Sequence, residues 1–154
     1  HQLALAAVYY SPLQYMYWYD KPSDSQDEPE LKFFDDVYTT WDDTKVLQGE
    51  VGEFITIARR KGEEWFIGSI TNNEKRVLSV SLDFLPEGKN YIAEIYTDGD
   101  KSVKTRTKVR VSTYRVSNKT KLNFCLKASG GAAVCLVPDD GNIKSVKNYK
   151  QQRL

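Results

Sequence analysis

From Trp41 onward, apolar and β-branched residues come in runs of roughly five to eight, separated by turn residues about every ten to twelve positions, a texture that predicts strands. The runs fall at about 44–49, 54–60, 64–71, 76–83, 90–97, 106–116, 120–127 and 132–137. Leu78, Val80 and Leu82 form one row with Ser79 and Ser81 opposite, and Leu122, Phe124 and Leu126 repeat it, so these strands have one wet face. The run Glu64–Thr71 differs: Trp65 and Ile67 point one way, Phe66 and Ile70 the other. Two apolar faces need two covers, and the second could be the N-terminal helices, a partner domain, or both.

The first forty residues carry a different pattern. Leu3, Leu5, Val8 and Tyr9 among alanines predict a helix without an N-cap before it, ending or kinking at Ser11-Pro12. Ser11, Pro12 and Gln14 fit N-cap, N1 and N3 of a second turn. Residues 21–28 read as a polar loop, and Pro29 suits the first turn of a short helix through Leu31, Phe33 and Phe34. The fold class is therefore mainly β: an eight-stranded antiparallel two-sheet β-sandwich preceded by two or three short α-helices.

Three turns have a stated mechanism. Gly62 supplies positive φ after Arg60-Lys61, Asp98-Gly99 is a tight-turn pair, and Gly130-Gly131 bends a last hairpin. That hairpin would set Cys125 and Cys135 across from each other, leaving open a cross-strand disulfide or two unpaired small apolar residues.

Composition narrows the function. At 154 residues with 40% hydrophobic and 28% charged positions, the chain suits one folded domain plus an appendage. A net charge of +1 gives no overall attraction to nucleic acid or anionic lipid. The basic run KSVKTRTKVR alternates with Val103, Val109 and Val111, as along a solvated edge strand. No apolar run is long enough for a helical membrane span. Two cysteines and one histidine, His1, do not suggest a thiolate or imidazole metal site or a histidine-assisted nucleophile.

Paired acids occur at Asp35-Asp36, Asp42-Asp43, Glu63-Glu64 and Asp139-Asp140, where hydration and capping of turns explain them without a cleft. The aromatic crowd of Tyr9, Tyr10, Tyr15, Tyr17, Trp18 and Tyr19 suits a seam between domains, since such side chains join a large apolar body to a polar tip. Stacking on sugars is the competing use, while Trp41 and Trp65 read foremost as core residues.

HQLALAAVYYSPLQ, then TTWDDTKVLQGEVGEFITIARRKGEEWFIGSITN, then KASGGAAVCL resemble the C-terminal part of glycoside hydrolase family 97, over His1 to about Val137. The W-D-D-T, G-E-x-G-E and A-R-R-K-G runs carry the resemblance in order and spacing. It implies that residues 1–20 are the last helix of a truncated (β/α)8 catalytic barrel, 21–41 a linker with a short helix, 42–138 the C-terminal β-sandwich, and 139–154 a polar tail. It also implies a parent that hydrolyses α-glucosidic or α-galactosidic linkages with carboxylates and calcium upstream of His1, in the bacterial periplasm or cell envelope. No catalytic, cofactor or metal residue is then expected in this chain.

Leu3, Leu5, Val8, Tyr9, Leu13, Trp18, Trp41 and Trp65 are the expected barrel-docking residues. The implied partner is the catalytic barrel. An oligosaccharide held by exposed aromatics is the alternative, in which the chain is a carbohydrate-binding module.

Overall fold

The protein is described from a computed structural model over residues 1–11, 13, 21–25, 28–104, 106–143 and 145–150. Helix α1 (Gln2–Val8) comes first, then a 3-10 turn at Pro22–Asp24 within the expected polar loop, and a second at Pro29–Leu31 that runs into α2 (Lys32–Asp36). Pro29 opens that turn as expected, since its missing amide hydrogen would have had no helical partner there. Eight strands follow: β1 (Asp43–Glu50), β2 (Phe54–Lys61), β3 (Glu64–Thr71), β4 (Arg76–Ser81), β5 (Asn90–Asp98), β6 (Val109–Ser117), β7 (Lys121–Leu126) and β8 (Gly131–Pro138). All eight expected strands are present, and all pairings are antiparallel.

The division into sheets is unequal. Six strands lie in the order β1-β2-β3-β8-β5-β6, and β4-β7 form a two-stranded sheet on one face of them. The alternating rows of β4 and β7 turn Leu78, Val80, Leu122, Phe124 and Leu126 inward against Ile67, Ile95 and Leu136 of the large sheet. Trp65 belongs to this interior, 4% exposed and 4.7 Å from the Phe84 ring. The other face of the large sheet is also apolar and is covered by α1 and α2: Leu3, Ala6, Ala7 and Phe33 pack on Phe66, Tyr96 and Ala133. The second cover required by β3 is thus supplied by the chain's own helices.

Several expectations are corrected. β7 and β8 do not form a hairpin: β7 pairs with β4, whereas β8 crosses to the large sheet and inserts between β3 and β5. The expected facing of Cys125 and Cys135 fails with it. Cys125 is exposed on the outside of the small sheet, Cys135 is buried on the helix-covered face of the large one, and both are free thiols. Asp98-Gly99 does not make a tight turn either. Gly99 N–H instead donates to Lys108 O at 2.7 Å, closing a longer loop before β6. Gly62 does have positive φ, at 58°, in the β2–β3 hairpin.

α1 ends at Val8, before Ser11-Pro12, with Tyr9 already extended at φ −71° and ψ 135°. The expected capping box at Ser11, Pro12 and Gln14 falls mostly outside the described residues. Ser11 Oγ accepts from Leu13 N–H at 3.2 Å in a local turn. The polar tail is engaged: Tyr149 N–H donates to Arg115 O at 3.0 Å, Arg115 N–H to Lys147 O at 2.9 Å, and the Tyr149 ring meets Tyr114 edge-on at 5.3 Å. It lies along β6, at one edge of the large sheet.

Candidate docking surface

α1 crosses β2, β3 and β8 on a strip of small residues. Ala4 and Ala7, one turn apart, lie over Gly68 of β3, and a Cβ on Gly68 would sit 2.4 Å from the Ala4 carbonyl oxygen. Only glycine lets the helix backbone come so near the sheet. Around this contact the rings interlock: Phe33 lies 5.3 Å from Tyr96 and 6.1 Å from Phe66, and Trp41 lies 5.5 Å from Phe66.

The C-terminal end of α1 is held by a buried cation. Arg59 of β2 is 1% exposed; its Nε donates to Ala7 O at 2.5 Å, Nη2 to Val8 O at 2.9 Å and Nη1 to Thr44 Oγ1 at 2.9 Å. Those carbonyls belong to the last turn, where a helix leaves acceptors unpaired and concentrates negative partial charge. Burial lowers the Arg59 pKa and the neighbouring Tyr10 raises it. The guanidinium still remains charged, because its ordinary value is so high. The Tyr10 ring covers its outer side at 5.2 Å.

The two runs W-D-D-T and A-R-R-K-G meet at this place. Thr44 orients Arg59, while the Asp42 carboxylate accepts from Gly62 N–H at 2.8 Å and Lys61 Nζ at 3.2 Å. These hydrogen bonds hold the Asp42 pKa below its ordinary value, the Gly62 amide first. The G-E-x-G-E run forms the β1–β2 hairpin, where Gly52 has φ 78° and Glu53 pairs with Arg76 at 2.5 Å.

The structure separates the expected docking residues. Leu3 is buried where the helix meets the sheet; Leu5, Val8 and Trp41 are half-buried; Tyr9 is 58% and Leu13 69% exposed. Trp18 lies outside the described residues. Trp65 is the correction: it faces the interior between the sheets, and its neighbour Phe66 is the β3 residue that meets the helices. Sequence reasoning missed Arg59 and Gly68 as parts of this surface, and placed Tyr10 at a seam without its contact to Arg59. Alternation carried the signal, because Arg59 continues the row Ile55-Ile57 and Gly68 interrupts the row Phe66-Ile70, the two rows being paired across β2 and β3.

The paired acids are occupied structurally. Lys32 Nζ contacts Asp36 and also Glu94 at 2.8 Å, Glu63 pairs with Lys89 at 2.7 Å, and Asp139 accepts from Arg115 Nε. No group of three or more His, Cys, Asp or Glu among the described residues is arranged to hold a metal ion.

Known proteins resemble this chain over most of its length. A family model described as "Glycosyl-hydrolase 97 C-terminal, oligomerisation" matches residues 40–137. A retaining alpha-galactosidase of Bacteroides thetaiotaomicron is 35% identical over 134 residues, which are 86% of this chain and 20% of that protein. A glycoside hydrolase family 97 enzyme of Pseudoalteromonas sp. strain K8, solved in complex with acarbose, superposes with a TM-score of 0.78 at 35% identity, covering 88% of this chain and 22% of that one. A beta-arabinopyranosidase shares the fold, with a TM-score of 0.68 at 24% identity over 88% of this chain and 20% of its own. The chain thus spans about a fifth of the length of the proteins it matches.

Proposed function

Because the chain belongs to glycoside hydrolase family 97, as its C-terminal β-sandwich region, we propose that it acts without catalysis, bracing the catalytic barrel of a longer glycosidase through α1 and the segment after it. The observation that carries this reading is the contrast along α1. Its base is fixed to the sandwich by Gly68 and Arg59, while Tyr9, Tyr10 and Leu13 just beyond it stay exposed, Tyr10 at 82%. Burying a side chain such as Leu13 contributes roughly 1.5–3 kcal/mol, so a few such contacts are significant beside ordinary domain stability.

On this reading the parent cleaves α-glucosidic or α-galactosidic bonds in a periplasmic or cell-envelope setting, and its catalytic acids and calcium lie outside these 154 residues. The paired acids of this chain are engaged by Lys32, Lys89, Arg115 and backbone amides, which supports leaving the chemistry elsewhere.

The test has two parts. The 154-residue chain is expected to release no p-nitrophenol from p-nitrophenyl α-glucoside or α-galactoside above a buffer control. The longer enzyme lacking this region is expected to lose activity faster on heating. Turnover by the chain alone, abolished by changing one of its carboxylates, would overturn the reading. The exposed rings of Tyr9 and Tyr10 favour a second reading as a sugar platform. Calorimetric binding of malto-oligosaccharides, lost on Tyr10→Ala, would establish that reading instead.

A further inference from the structure

The helices leave part of the large sheet's outer face uncovered. One row of paired residues crosses that face from strand to strand: Thr44, Arg59, Phe66, Cys135, Glu94 and Thr113. Arg59, with the Tyr10 ring over it, lies toward one end of the row. Glu94 lies three strands away, about 14 Å at the usual strand spacing. There, beside α2, the face opens into a depression of about 530 Å³. Ile92 and Val137 give it an apolar floor, and Ile143 of the tail stands 46% exposed at its rim. Its walls are acidic: Asp35, Asp36, Glu64 and Glu94 line it, and Lys32 is the only cation among the described residues that does.

The charges here do not cancel. Lys32 serves both Asp36 and Glu94, the latter at 2.8 Å, while among the described residues no cation pairs with Asp35 or Glu64. Glu64 has only the neutral Tyr38 hydroxyl beside it, which leaves its charge uncompensated. Tyr96 supplies an independent sign of a missing group. It is 1% exposed, and its hydroxyl completes no hydrogen bond, although Glu94, Asp36 and Cys135 of the depression lie around it. All these oxygens accept hydrogen bonds. The carboxylates are spread along the walls, with no three arranged to hold a metal ion. A planar cation with several donors on an aliphatic stem matches both walls and floor. We propose that the depression receives an arginine side chain of the catalytic barrel, its stem on Ile92 and Val137 and its guanidinium among Asp36, Glu64 and Glu94. The inference rests on the bracing reading and adds a charged contact to it. The barrel is selected as the occupant because Tyr10 and the depression share one face of the sheet. Their separation is less than half the roughly 30 Å breadth of a small domain, so a neighbour resting on Tyr9 and Tyr10 overhangs both.

The test places one substitution in two proteins. In the longer glycosidase, Glu64→Lys is expected to shorten the heat-inactivation half-life about tenfold and Glu64→Gln about threefold, since the first repels the guanidinium and the second only ceases to attract it. In the 154-residue chain, where the carboxylates crowd a single lysine, the same changes are expected to leave the thermal midpoint unchanged or to raise it. Glu63→Gln is the control for net charge, because Glu63 pairs with Lys89 outside the depression. It should leave the half-life of the longer enzyme within about twofold of the original. A half-life indifferent to Glu64→Lys overturns the proposal. So does an equal loss of stability in both proteins, which would place the role of Glu64 inside the sandwich. If sedimentation shows instead that Glu64→Lys separates copies of the longer enzyme, a second copy fills the depression and the proposal falls. The bracing reading fails by a different result, a half-life indifferent to Tyr9→Ser with Leu13→Ser; if only Glu64→Lys is silent, this proposal alone falls.

Discussion

Arg59 lies in the middle of a β-strand, yet its bonding partners are the last carbonyls of α1. Arg59→Met keeps much of the side-chain volume and removes three donors, leaving the Ala7 and Val8 carbonyls buried against apolar surface. At roughly 1.5–3 kcal/mol for a hydrogen bond to a charged group, the substitution is expected to cost about 3 kcal/mol, read as a lower urea midpoint. Gly68→Ala tests the neighbouring contact by a different mechanism. Its new methyl meets backbone, which cannot rotate away, so about 2–3 kcal/mol is expected, at the upper end of the range for overpacked cores.

The cysteines provide a third test at this scale. Burial, aided by Asp36 and Glu64, pushes the Cys135 thiol up to about 12, while Cys125 is exposed. A thiol reagent at pH 8 should therefore label one cysteine per native chain and two after denaturation. Fewer than one would mean that Cys125 is not the exposed free thiol described.

At the scale of elements, the strands were legible because a period of two is written directly in rows such as Leu78-Val80-Leu82 and Leu122-Phe124-Leu126. What alternation cannot state is the partner of each strand. KASGGAAVCL reads locally as a hairpin, but a small sheet of β4 and β7 buries both alternating apolar rows against one face of the large sheet, and β8, apolar on both faces, fits only the centre of that sheet. The tail was hidden for the same reason. Its few apolar residues include Tyr149, whose hydroxyl accepts from Asn123 N–H at 3.0 Å and whose ring packs on Tyr114.

The tail also links stability to pH. Arg115 and the Gly141 amide hold the Asp139 carboxyl below its ordinary value. A depressed carboxylate contributes stability that is fully present above its unfolded pKa, near 4, and is lost as pH falls through the lower folded value. Asp139→Asn should accordingly lower stability at pH 7 and flatten the acid limb of the unfolding midpoint measured against pH. An unchanged limb would mean that the pair contributes nothing.

Across the whole molecule, the candidate surface was half legible. The apolar helix and the two-faced strand announced that something must cover the outer face of the large sheet, whereas W-D-D-T and A-R-R-K-G carried only the family resemblance. Trp65 read both as core and as a docking residue, and only the structure decides for core, because alternation gives relative faces and not which one meets the interior. Nor did the sequence say that the two runs converge on a single guanidinium, which depends on β1 and β2 pairing with Thr44 opposite Arg59.

The account's central claim is that α1, fixed at its base, offers Tyr9, Tyr10 and Leu13 to a catalytic barrel. The most direct measurement is the activity half-life on heating of the longer glycosidase carrying Tyr9→Ser and Leu13→Ser together. The account predicts a shortened half-life with turnover at 25 °C unchanged, while the 154-residue chain with the same substitutions melts within about 0.5 kcal/mol of the original, as surface changes do. An unaltered half-life in the longer enzyme would contradict it.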